Sequence, residues 1–142
     1  MTIPADIQFA SKQFDGVLGA LKDRAFLSTH NQSFAMLRAV LHELRDHLSV
    51  EQAAAFGAML PALVRGIFYE GWHPANDPPR IPAPNAFTKG VTRRLAPHHV
   101  PPETIVTDVL AVLSLHIDAA ALNEALDRCP EGLRAIWPQS TG

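Results

Sequence analysis

Two arginines hold matching places in this sequence. Arg65 and Arg134 each lie four residues after a proline, Pro61 and Pro130, and each precedes an apolar pair, Ile67-Phe68 or Ile136-Trp137. A guanidinium grips a carboxylate or another anion through two parallel N–H bonds, so such a pair could clamp one. The same side chain can instead lay its stem on an apolar face and pair its head with an acidic group, holding two elements in register. Just past Arg65, residues Tyr69, Glu70 and Trp72 bring polar and aromatic groups together at a helix end. Tyr and Trp give large contact area at small entropic cost, so Arg65, Arg134, Tyr69, Glu70 and Trp72 are the candidate ligand-binding residues. A helix stop of the Schellman kind, with Trp72 folded back onto Ile67 or Leu63, also accounts for Gly71 and Trp72.

Seven histidines raise the question of a metal. His42 and Asp46 are spaced i,i+4, as are Glu43 and His47, so each pair shares a helix face. Sixty-nine positions on, Ala111, Val112 and Leu115 replace His42, Glu43 and Asp46, and only His116 answers His47. A two-fold metal site is therefore not supported. His47 and His116 are expected in the last turn of their helices, where the dipole favours a cation. His98-His99 lies in a proline-flanked loop and cannot make a site alone. Cys129 is the single cysteine, which excludes an internal disulfide and a multi-Cys zinc site; it reads as a small core residue. No Gly-rich phosphate loop, nucleophile elbow or Cys–His pair stands out. The sequence nominates no catalytic residue, no metal site and no cofactor.

Lys89, Arg93, Arg94, His98 and His99 form a local basic patch that could touch phosphates. The formal net charge is -2, and residues 1–73 and 74–142 each carry six basic and seven acidic side chains. With no global basic field and no interleaved aromatics, the patch reads as a solvated helix face, and a nucleic-acid partner is not expected. The N-terminus lacks the basic and apolar regions of a signal peptide, and the apolar runs fall short of a membrane span. The expected location is the cytoplasm.

These residues must be held by helices. Hydrophobic residues make up 47% of the 142, with Ala and Leu dominant and aromatics at 7%, which favours helix over sheet. Ile7, Ala10, Phe14, Val17 and Leu21 step by three or four and predict a helix over about 6–24. Phe34, Leu37, Leu41, Leu44 and Leu48 form a narrow seam on a second helix over 32–47. Ser49 and Gln52 make a capping box for a third, with Ala53, Phe56, Gly57 and Leu60 inward. Pro61 breaks that pattern and opens a helix to Glu70 that buries Leu63, Val64, Ile67 and Phe68. Five prolines within His73–Pro84 leave an extended linker. Beyond it come a helix over 85–95, one opened by Pro101-Pro102 and running to about His116, one capped by Asp118, and a last one started by Pro130.

The second series repeats the first. A shift of 69 positions lays residues 40–68 on 109–137 without a gap. Leu44 meets Leu113, Ser49 meets Asp118, Pro61 meets Pro130 and Arg65 meets Arg134. A shift of 73 sets Phe14 on Phe87. Coincident caps, a proline in register and a shared seam predict an all-α fold of two tandem three- to four-helix repeats. Neither could bury its stripe alone, so the two are expected to pack with pseudo-two-fold symmetry. The divisions are 1–73 for the first repeat, 74–84 for the Pro-rich linker and 85–142 for the second, within one shared core.

The run Leu60-Pro61-Ala62-Leu63-Val64-Arg65-Gly66-Ile67-Phe68-Tyr69-Glu70-Gly71-Trp72, with Val40 to Leu48 upstream, resembles the bacterial domain-of-unknown-function family 2267. The resemblance spans about residues 8–138. It implies a small helical prokaryotic protein and assigns no activity, substrate or catalytic residue. The expected function is non-catalytic: a helical module that binds a protein partner or a second copy of itself. The alternative is a small-molecule or anion-binding protein, or an enzyme, with a pocket between the repeats beside Arg65 and Arg134.

Overall fold

The structure, a computed structural model, describes residues 3–97 and 99–139. Among them it is all-helical, with eight helices and no strand: α1 (Ala5–Arg24), α2 (His30–Arg45), α3 (Val50–Ala58), α4 (Ala62–Tyr69), α5 (Pro84–Arg94), α6 (Ile105–Ser114), α7 (Ala119–Arg128) and α8 (Glu131–Ile136).

Local chemistry sets most of these boundaries. The Thr29 side chain accepts from the Gln32 amide and caps α2, and Asp118 caps α7 through the Ala121 amide. Ser49 and Gln52 complete the capping box of α3. Pro61 and Pro130 stand one residue ahead of α4 and α8 in extended conformation, as cap residues and not as the first helical ones. The helix expected from Pro101 begins only at Ile105, because consecutive prolines hold the chain extended until both are passed. Residues 73–83 contain no helix.

The end of α1 makes the Schellman stop that was expected after α4. The Leu27 amide bonds the Lys22 carbonyl at 2.8 Å and the Phe26 amide bonds Asp23 at 3.4 Å. Phe26 takes the left-handed position there at φ 55°, with its ring 94% exposed. After α4, Gly71 does adopt φ 67°, but the Trp72 amide bonds Tyr69 at 3.2 Å. The Ile67 carbonyl that a Schellman bond would use is occupied by His42 Nε2–H at 2.7 Å and by the Glu70 amide at 3.2 Å.

The buried apolar side chains form one cluster drawn from both halves of the chain. Helix α2 lies at its centre and touches α1, α4, α5 and α6. Helix α1 also packs on α6 and α4, α3 packs on α7 and α4, and α7 on α8. Buried polar groups are satisfied: Ser33 Oγ donates to the Leu18 carbonyl at 2.7 Å, and Asp108 accepts from Arg24 and Thr104. Cys129 lies in the core.

One apolar expectation needs correction. Leu63 is 44% exposed, because the inward face of the short α4 is filled by Val64, Ile67 and Phe68. On α1 only Val17, Leu18 and Leu21 are buried, while Ile7 is 59% exposed. Helix α1 spans about 30 Å, and among the described residues no other element covers the apolar stripe at its N-terminal end.

Candidate functional site

Arg65 reaches back across the α3–α4 turn. Its Nε–H donates to the Gly57 carbonyl at 2.8 Å, and its Nη2 to Leu60 at 2.9 Å and Ala58 at 3.3 Å. Gly57 and Ala58 close α3 and Leu60 follows it, so the guanidinium braces the end of α3 and the turn after it, sharing the Gly57 carbonyl with the Leu60 amide. Arg134 also reaches back to the helix before its own, but to side chains and one mid-helix carbonyl of α7. Its Nη2 donates to the Asn123 carbonyl at 3.2 Å, to Asn123 Oδ1 at 3.1 Å and to Asp127. Each arginine braces its own helix pair.

Tyr69 and Trp72 stack with ring centroids 5.6 Å apart. The Tyr69 hydroxyl donates to the Ala53 carbonyl at 3.1 Å across the α3–α4 contact. Glu70 points outward and faces Arg38 at 3.5 Å. Tyr69, Glu70 and Trp72 are therefore neighbours at one end of α4, and Arg65 lies at the α3–α4 turn.

A second polar cluster joins α2, α4 and α5. The buried Arg45 donates from Nη1 to the Phe68 and Glu70 carbonyls, at 3.1 and 2.7 Å, and from Nε to Asp46 at 3.0 Å. Arg94 bridges Asp46 at 2.6 Å and Glu43 at 3.2 Å. Glu43 fits there because Gly90 opposes it: a Cβ on residue 90 would lie 2.5 Å from Glu43 Oε1. Burial pushes the Asp46 carboxyl upward, but its bonds from Arg94 and Arg45 prevail and hold it below the ordinary value. The same bonds prevail over burial at Arg94 and raise its affinity for the proton. Burial lowers the pKa of His42, prevailing over its bond to Ile67.

His47 lies just beyond α2, not in its last turn, because α2 ends at Arg45. Its Nδ1–H donates to Pro79 of the linker at 3.0 Å, and its ring faces Phe87 with centroids 6.1 Å apart. His116 likewise falls past the end of α6, with its Cε1 3.8 Å from where a Cβ of Gly16 on α1 would stand. Among the described residues, no three His, Cys, Asp or Glu side chains gather as metal ligands do. In the basic patch, Lys89 and Arg93 are exposed while Arg94 is bound in the cluster above; His98 lies outside the described residues.

Two cavities open on the surface. The larger, about 420 Å³, lies between the α1–α2 and α5–α6 loops and is lined by Phe26, Leu27, Gln32, Met36, Val100 and Pro101 among others. The smaller, about 190 Å³, lies between α3 and α7. None of Arg65, Arg134, Tyr69, Glu70 or Trp72 lines either one.

Sequence reasoning passed over the exposed apolar groups. Ile3, Ile7 and Phe9 on α1 and its approach are 55%, 59% and 66% exposed, and Val100 is 81% exposed. Their signal was the length of the α1 stripe, which exceeds what a ten-residue partner such as α6 can cover.

No described helix is long and apolar enough to cross a membrane. Comparison with curated proteins gave no match. The model of the family described as an uncharacterized conserved protein, DUF2267, matches residues 14–136, starting where α1 enters the core. The chain therefore belongs to the DUF2267 family.

Proposed function

We propose that this protein is a non-catalytic helical module that binds another protein chain, built by duplication of one four-helix unit. Support for the duplication is reciprocal packing: α1 rests on α6 while α5 rests on α2, and α3 meets its counterpart α7. Equivalent residues also do equivalent work. Arg65 and Arg134 brace the turn-linked pairs, Ser49 and Asp118 cap α3 and α7, and His47 and His116 lie against α5 and α1.

The observation that carries the interaction reading is the N-terminal part of α1. Ile7 and Ala10 continue the stripe of Val17 and Leu21 along α1, yet Ile7 is more than half exposed. A contiguous exposed apolar patch, unlike singly scattered apolar side chains, marks an interaction face. A pocket at Arg65 and Arg134 has less support, because an incoming anion would have to displace the carbonyl and carboxylate partners that each arginine already holds.

The test is a photo-crosslinking amino acid at position 11, one turn from Ile7 on the same side of α1, in the full chain in its host cells. The reading predicts a discrete crosslinked product that Ile7→Glu abolishes. Absence of any product, or one indifferent to Ile7→Glu, would contradict it.

A further inference from the structure

We infer that the cavity between the α1–α2 and α5–α6 loops is a binding site for a neutral, aromatic small molecule that carries a hydrogen-bond acceptor. The cavity arises from a difference between the two halves of the chain. The shift of 69 positions lays His30, where α2 starts, on His99, yet α6 starts only at Ile105. Pro101 and Pro102 keep helix from forming where α2 has its first turns, so a gap opens beside the α1–α2 loop. The gap measures about 420 Å³, within the roughly 300–1,000 Å³ of small-molecule sites. Ala25 and Met36, both buried, line its inner side. Phe26 and Val100 stand at its mouth on the two loops, 94% and 81% exposed.

Phe26 is the observation that points to an occupant. Its φ of 55° is strained for a residue with a Cβ, and strain of this kind gathers at ligand sites. A glycine would stop α1 there without strain. The position holds a large ring instead, turned out to water at the mouth of a cavity. A molecule seated between the loops would cover that ring and Val100 and withdraw both from water. The lining also selects the occupant. None of its described residues is Asp, Glu, Lys or Arg, so an ionic ligand would lose its hydration with no counter-charge in return. The Ser28 amide donates to Gln32 Oε1 at 2.8 Å, which orients the carboxamide and leaves its amino group to donate to a ligand acceptor. The Met36 thioether favours a ring over an aliphatic chain. Neither Ile7 nor Phe9 lines this cavity, so the inference stands independently of the α1 docking face.

The test is a fluorescence titration of the purified full chain with prodan, a neutral naphthalene dye with a ketone acceptor. The expected result is saturable binding of a single dye, with emission shifted to the blue as it leaves water. Val100→Asp should weaken binding about tenfold by placing a charge at the mouth, with the fold intact because Val100 is exposed. Phe26→Gly should weaken it several-fold, again without loss of the fold. Gln32→Glu keeps the oxygen that the Ser28 amide uses, removes the donor, and should weaken binding as well. Naphthalene-2-sulfonate, of similar ring size but anionic, should bind about tenfold more weakly than prodan. Ile7→Glu, which alters the α1 face, should leave the titration unchanged, so the two readings fail separately. No saturable binding, a titration indifferent to Phe26→Gly and Val100→Asp, or binding lost in Ile7→Glu would overturn the inference.

Discussion

The Tyr69 hydroxyl rests directly over the bare Cα of Gly57 and bonds the Ala53 carbonyl one turn earlier at 3.1 Å. A Cβ on residue 57 would overlap that hydroxyl and come within 2.6 Å of the Tyr69 ring. The ring is held by Phe68 on one side and Trp72 on the other, with centroids 5.1 and 5.6 Å away, so it has little room to retreat. Gly57→Ala should therefore destabilise the chain by about 1–3 kcal/mol. In a Tyr69→Ala background the same change should be neutral or stabilising, since Ala exceeds Gly in helix propensity by about 1 kcal/mol. Denaturant unfolding of the four chains in a double-mutant cycle measures the coupling. Additive effects would show that the two residues do not meet.

Phe26 offers the opposite case. Its ring is 94% exposed and its φ of 55° is a conformation that a side chain with Cβ rarely adopts. Phe26→Gly should stabilise the folded chain by about 0.5–1 kcal/mol, the strain relief exceeding the added backbone freedom of the unfolded chain. Loss of stability would show that the ring has a partner within the chain.

The two braces differ in burial and in what they satisfy. Arg65→Ala removes a donor from three carbonyls at the α3–α4 turn, two of these bonds partly buried, although Gly57 keeps the Leu60 amide. Its expected penalty is about 1–2 kcal/mol. Arg134 pairs mainly with exposed groups of α7. Arg134→Ala should remain under about 1 kcal/mol. Unfolding midpoints of the two variants decide the order, and an Arg134→Ala penalty larger than that of Arg65→Ala would contradict it.

Much of this was legible in the sequence because it rests on short-range chemistry. The Ser49 box, the Asp118 cap and the prolines at 61 and 130 each act within four residues, and each marks an element close to its true place. Burial of Ala53, Phe56, Gly57 and Leu60 followed from period alone. The α1 stripe marked the helix, but periodicity states which face is apolar and not whether anything covers it. Nor could spacing show that Arg65 and Arg134 face backward across their own turns, or that His42 would occupy the carbonyl on which a Schellman stop depends. Those outcomes are decided by contacts across helices. Arg94 reaching Glu43 and Asp46 from about fifty residues away is a case of the same kind.

The pH dependence follows from His42. Burial holds its pKa below the ordinary value of 6.5 in the folded chain. The unfolded chain therefore takes up the proton first as pH falls. The stability His42 contributes is complete above 6.5 and is lost as pH drops from there toward the folded pKa. Asp46 acts in the same direction at lower pH, its contribution present above 3.8 and lost below. His42→Gln should flatten the upper part of the profile. Denaturant unfolding at about pH 7.5 and about pH 5.5 checks this. An equal acid loss in the variant would assign the effect to another group.

The most direct test of the account compares two positions on one stripe. Leu21 and Ile7 lie on the same face of α1, one fully buried and the other 59% exposed. Unfolding free energies would be measured on dilute protein, where any dimer has dissociated. Leu21→Ala should cost about 2–5 kcal/mol, and Ile7→Ala no more than about 0.5 kcal/mol. That outcome would place the start of α1 outside the fold, free for a partner. A loss at Ile7 comparable to that at Leu21 would mean that the overhang is part of the core, and the docking face would not exist.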